Sequence, residues 1–110
     1  IHSGQYEPAI LTLDTAIRLE PKSADYYNLR GFVYYLLKNK ELALKDVEKA
    51  LQLNSKDGIT YINQALIYLY LYNDPKNANE AFKKAEIYDY NFAAQYSHVK
   101  QEIEEKLAQE

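Results

Sequence analysis

The side chains able to do acid–base or nucleophilic chemistry are sparse here and do not converge. Two histidines, His2 and His98, lie near opposite ends of the chain. A metal centre needs several ligands at one point, so no metal site is expected and His98 reads as a surface residue. There is no cysteine, which removes thiolate nucleophiles, Cys-ligated zinc and disulfides together. No Gly-rich phosphate loop and no recognisable Ser-His-Asp constellation occurs. Glu102, Glu104 and Glu105 form an acidic run that reads as the solvated face of a terminal helix. Arg30 is the odd charge in an apolar stretch. It is expected to pair with Asp25 or Asp46, the alternative being a place in a binding groove. Catalysis has no residue to rest on, so neither an enzyme nor a cofactor is expected.

Composition points the same way. The 110 residues are enough for one domain, and 47% of them are apolar, as in a folded chain. Three glycines and three prolines are too few for many turns, which favours long helices over strands. Net charge is −3, from 13 basic and 16 acidic residues spread along the sequence. No basic cluster exists to follow a phosphate backbone, so nucleic acid is not an expected partner. No run approaches the roughly 18 apolar residues of a membrane span. The opening Ile1-His2-Ser3, without a methionine, reads as the start of a segment taken from a longer protein.

Small and aromatic residues recur in phase. Ala9, Leu13 and Ala16 return 34 positions later as Ala43, Val47 and Ala50, and 35 further on as Ala78, Phe82 and Ala85. Tyr27 returns as Tyr61 and Tyr96, Gly31 as Ala65, and Tyr34 as Tyr68 and Ile103. One extra residue therefore lies between Tyr68 and Ala78, most simply in the turn Tyr72-Asn73-Asp74-Pro75. Apolar residues at helical spacing place helices at about 6–20, 24–37, 40–53, 58–71, 75–88 and 92–108. A helix pair fills each period, and its small residues let the two helices approach closely. The domain 1–110 divides into the second helix of a truncated repeat (1–23), a full repeat (24–57), a full repeat with the insertion (58–91) and a C-terminal capping helix (92–110). In the cap, Phe92, Tyr96, Val99, Ile103 and Leu107 form one apolar seam, and deleting it should expose Ile87.

These positions resemble the tetratricopeptide repeat family, whose 34-residue pattern runs aromatic, Leu-Gly, Tyr, Ala, aromatic, Ala and Pro. One copy here reads Tyr27, Arg30-Gly31, Tyr34, Ala43, Val47, Ala50 and Ser55, and the next Tyr61, Gln64-Ala65, Tyr68, Ala78, Phe82, Ala85 and Tyr90. The leading half-copy gives Gly4, Tyr6, Ala9, Leu13, Ala16 and Pro21. Arg30 and Gln64 depart from the Leu, Val47 from the aromatic, and only Pro21 keeps the terminal Pro. The resemblance implies an all-α, right-handed solenoid of antiparallel helix pairs. It also implies that the first helix of each pair lines a concave groove for protein segments. A subgroup clamps a terminal carboxylate with Lys, Arg and Asn. The matching positions here, Asp25, Asn28, Phe32, Ile59, Ile62, Asn63 and Leu66, include no Lys or Arg, so that clamp is not expected.

No charge occurs between Asp57 and Asp74. Ile59, Ile62, Leu66 and Leu69 form a stripe in this segment, and Phe32 and Tyr35 stand one repeat earlier at places equivalent to Leu66 and Leu69. Two readings stay open. The strip is either a groove for a protein or peptide with apolar side chains, edged by Asp25, Asn28 and Ser97, or a structural surface packed on its own chain or on a second copy as a homodimer. Leu66→Asp spares the fold if the strip is a groove and breaks it if the strip is core.

Overall fold

Side-chain caps set where most of the helices begin. Ser23 accepts from the Tyr26 N–H at 3.4 Å, Asn39 from Leu42 at 3.2 Å, Asp74 from Asn77 at 3.1 Å and Asp89 from Phe92 at 3.1 Å. Each satisfies a backbone donor that the first helical turn leaves unpaired, and is worth about 1 kcal/mol. Pro75 opens its helix where a missing N–H costs nothing. The computed structural model describes residues 3–110, so Ile1 and His2 lie outside the described residues. The described residues are all-α and divide into two compact units that part between Ser55 and Lys56.

In the first unit a short 3-10 turn, Ser3–Gln5, leads into α1 (Tyr6–Leu19), followed by α2 (Ala24–Leu36) and α3 (Lys40–Leu53). The helices α2 and α3 form an antiparallel pair, and α1 packs on α2. The ridge Ala43-Val47-Ala50 is fully buried. Gly31 permits that closeness, since a Cβ there would sit 3.0 Å from Val47 Cγ2 and 3.2 Å from the Ala43 carbonyl oxygen.

The second unit holds α4 (Gly58–Leu66), a π-helical turn (Ile67–Leu71), α5 (Pro75–Tyr88), α6 (Tyr90–Ala94) and α7 (Ser97–Ala108). The helices α4 and α5 repeat the antiparallel pair, with Ala65 in the place of Gly31 against buried Ala78, Phe82 and Ala85. Gly58 meets the next connection closely: a Cβ on it would lie 2.6 Å from Asp89 Cβ.

Three sequence expectations need correction. The inserted residue is not in the turn. Lys38 and Asn73 both adopt positive φ, 62° and 51°, and both precede a capping residue, Asn39 or Asp74. The two turns therefore share one geometry. The extra residue widens the helix before it, where the Tyr72 N–H reaches back five residues to the Ile67 carbonyl at 3.2 Å. The expected helix 92–108 is two helices. The Gln95 and Tyr96 N–H groups bond three residues back to Phe92 and Ala93, and Tyr96 leaves helical geometry at φ −111°, ψ 30°. That bend lets Ala93, Val99 and Ile103 all bury. Ile87 is 74% exposed with both segments in place, so the terminal helices do not cover it.

Candidate partner-binding surface

The candidate residues of the first unit lie on α2. Asp25, Asn28, Phe32 and Tyr35 follow each other at intervals of 3, 4 and 3, one face of a helix. Asp25 is exposed and Asn28 is buried. Phe32 and Tyr35 are half-buried, their ring centroids 5.8 Å apart and their planes tilted by 30°. They form a small aromatic platform with no charge of its own.

The second-unit residues fare differently. Ile59 is 41% exposed at the start of α4, and Ser97 is exposed at the start of α7. Ile62, Leu66 and Leu69, which the sequence leaves open between groove and core, are buried, at 1%, 8% and 2% exposure. Here α4 packs against α5 and also against α6, and the π turn packs against α5. A helix with no charged face has no side that must stay in water. Ser97 lines a different feature, a cavity of about 120 Å³ with Phe82, Tyr90 and Ala94, walled by the Lys100–Glu86 ion pair at 2.7 Å.

Arg30 takes the structural role. Its Nε and Nη2 donate to Asp46 at 2.7 and 2.8 Å, and its Nη1 donates to Asp14 at 2.9 Å. Asp46 was one of the two partners expected from sequence, while Asp14 was not anticipated. The guanidinium also lies 5.7 Å from the centre of the Tyr27 ring. The hydrogen bonds to Asp46 hold its proton more firmly than usual. Beside it an open cleft of about 460 Å³ is rimmed by Lys45, Glu48 and Lys49. Nothing in the spacing of these residues singles the cleft out, because helix crossing creates it. Among the described residues no group of three His, Cys, Asp or Glu could hold a metal ion, and no helix is long and apolar enough to cross a membrane.

A family profile described as TPR repeat matches residues 2–38, and one described as tetratricopeptide repeat matches residues 24–57. This chain is a tetratricopeptide repeat protein. The tetratricopeptide fold extends beyond the matched residues. The TPR domain of OM64 from Arabidopsis superposes with a TM-score of 0.80 over 91% of this chain and 81% of that one, at 23% identity. No curated protein sequence matches the chain. Tetratricopeptide repeat domains generally serve as protein–protein interaction modules.

Proposed function

We propose that this tetratricopeptide repeat protein holds a protein or peptide segment bearing bulky apolar side chains, and that the α2 face makes the contact. The observation that carries the reading is the half-exposed pair Phe32 and Tyr35. Interface energy concentrates in a few aromatic or apolar anchors inside a near-neutral rim. Asp25 at the start of α2 supplies a polar edge, and Ile59 and Ser97 remain accessible on the second unit. Peptides selected against the protein from a random display library provide the test. Phe32→Ala and Tyr35→Ala should each cost more than about 1 kcal/mol of binding. Raising salt should change little, because the platform carries no charge to screen. Binding that survives both substitutions but collapses in salt would move the site to the charged helices around Lys45, Lys49, Lys83 and Lys84.

A second reading has an observation in its favour. The burial of Ile62, Leu66 and Leu69 supports a structural role for the second-unit part of the strip. Leu66→Asp should then place a carboxylate in the core and destabilise by about 3 kcal/mol or more. A Leu66→Asp protein with an unchanged melting temperature would return that part of the strip to the surface.

A further inference from the structure

The cleft beside Arg30 is walled by α2, through Tyr27 and Arg30, and by α3, through Lys45, Glu48 and Lys49. These two helices form a complete pair, and α1 packs on α2 as well. Its volume of about 460 Å³ falls within the roughly 300–1,000 Å³ of ligand pockets. Tyr27 is half-buried and lines the cleft, with the Arg30 guanidinium 5.7 Å from its ring centre.

The next repeat shows what covers such a ring. There Tyr61 stands for Tyr27, Lys84 for Lys49 and Tyr88 for Leu53. Tyr88 stacks on Tyr61, with centroids 5.7 Å apart and planes 18° from parallel, and Lys84 Nζ lies 5.7 Å from the same ring centre. Tyr61 is only 7% exposed as a result. No aromatic ring stacks on Tyr27 among the described residues, because Leu53 has no ring to offer.

We infer that this cleft receives an aromatic side chain from a partner protein segment, followed directly by an acidic residue. The ring lies on Tyr27 and the carboxylate meets Lys45 and Lys49. Aromatic pairs gain beyond their buried area when offset and stacked, as Tyr61 and Tyr88 are. Charge selects the neighbour of the ring. Arg30 and Asp46 satisfy each other. Lys45 and Lys49 are exposed, lie one helical turn apart, and form no ion pair among the described residues. Like charges at that spacing oppose the helix that carries them, and a carboxylate between them removes the opposition. Glu48 is the one other acid on the rim, so two cations outweigh one anion there. Tyr27 precedes Gly31 by four residues and shares its flank of α2, the one turned to α3. The cleft is therefore separate from the Phe32 and Tyr35 platform and does not rest on that reading.

The probe is the acetylated peptide Gly-Ser-Trp-Asp-Ser-Gly. Its fluorescence can be read alone, because the chain contains no tryptophan. Titrating the whole protein into it should shift the emission to the blue and saturate. The same peptide with lysine for aspartate should bind at least tenfold more weakly. With leucine for tryptophan it should compete at least tenfold less well. Lys45→Glu/Lys49→Glu alters only exposed side chains, and should keep the melting curve while weakening binding at least tenfold. Phe32→Ala should leave this binding unchanged. Absence of a saturable shift at millimolar protein overturns the proposal. Equal competition by the leucine peptide overturns it too, as does binding indifferent to the lysine reversal. Binding lost with Phe32→Ala would overturn it by placing the peptide on the α2 platform instead.

Discussion

Arg30 shows how one residue type can be structural in one repeat and dispensable in the next. Its fork fills both oxygens of Asp46, whose side chain is 6% exposed, and reaches Asp14, whose side chain is 44% exposed. Removing the cation strands a buried carboxylate, so Arg30→Gln should cost about 3 kcal/mol or more. Asp14→Asn should cost under about 1 kcal/mol, because that end of the bridge is wet. The second repeat shows an uncharged solution, with Gln64 and Ala81 in the same register. The double variant Arg30→Gln/Asp46→Ala should therefore recover most of the single loss. Chemical denaturation of the four proteins of this cycle measures the coupling. Equal and additive losses would mean that the bridge contributes nothing beyond its parts.

At the scale of elements, the π turn is the clearest departure from regularity. The chain keeps the turn geometry Lys38-Asn39 at Asn73-Asp74 and stores its extra residue one step earlier, within the helix. Deleting Tyr70, which is 46% exposed, leaves Tyr68-Leu69-Leu71-Tyr72-Asn73-Asp74 in register with Tyr34 to Asn39. That deletion should convert the π turn to α and change stability by less than about 1 kcal/mol. Deleting Ala81 instead would rotate the rest of α5 by about 100° and take Phe82 and Ala85 off the ridge. Thermal melts followed by circular dichroism separate the two. A Tyr70 deletion that melts as poorly as the Ala81 deletion would show that the widened turn is needed for packing.

At the scale of the whole molecule, three tyrosines and one lysine shift in the same direction. Burial raises Tyr34 and Tyr61 above the usual phenol value of 10.0. The hydrogen bond to Glu20 raises Tyr26, and that to Glu86 raises Lys100. In each case the folded state holds its proton longer than the unfolded chain does. The stabilisation is complete below the unfolded values and is lost as pH rises through the folded ones. Stability should be flat through neutral pH and fall above about pH 10. Urea midpoints across the alkaline range check this, and Tyr61→Phe should flatten part of the slope. A midpoint that rises above pH 10 would contradict it.

The sequence by itself determined the repeat, the helix pairs and the interior faces, because these follow from side-chain size at fixed spacing. A period of 34 with alanine, glycine and tyrosine in phase leaves little freedom in how two helices cross. It also narrowed Arg30 to two partners, one of which, Asp46, proved right. Tertiary structure decided exposure. Ile62, Leu66 and Leu69 look the same in sequence whether they line a groove or a core, and only the folded structure shows them buried, the first two on α4 and the third on the π turn. The position of the inserted residue and the break at Tyr96 were likewise illegible, because each depends on which backbone groups find partners. Periodicity reports which residues share a face, whereas a neighbouring element decides whether that face meets water.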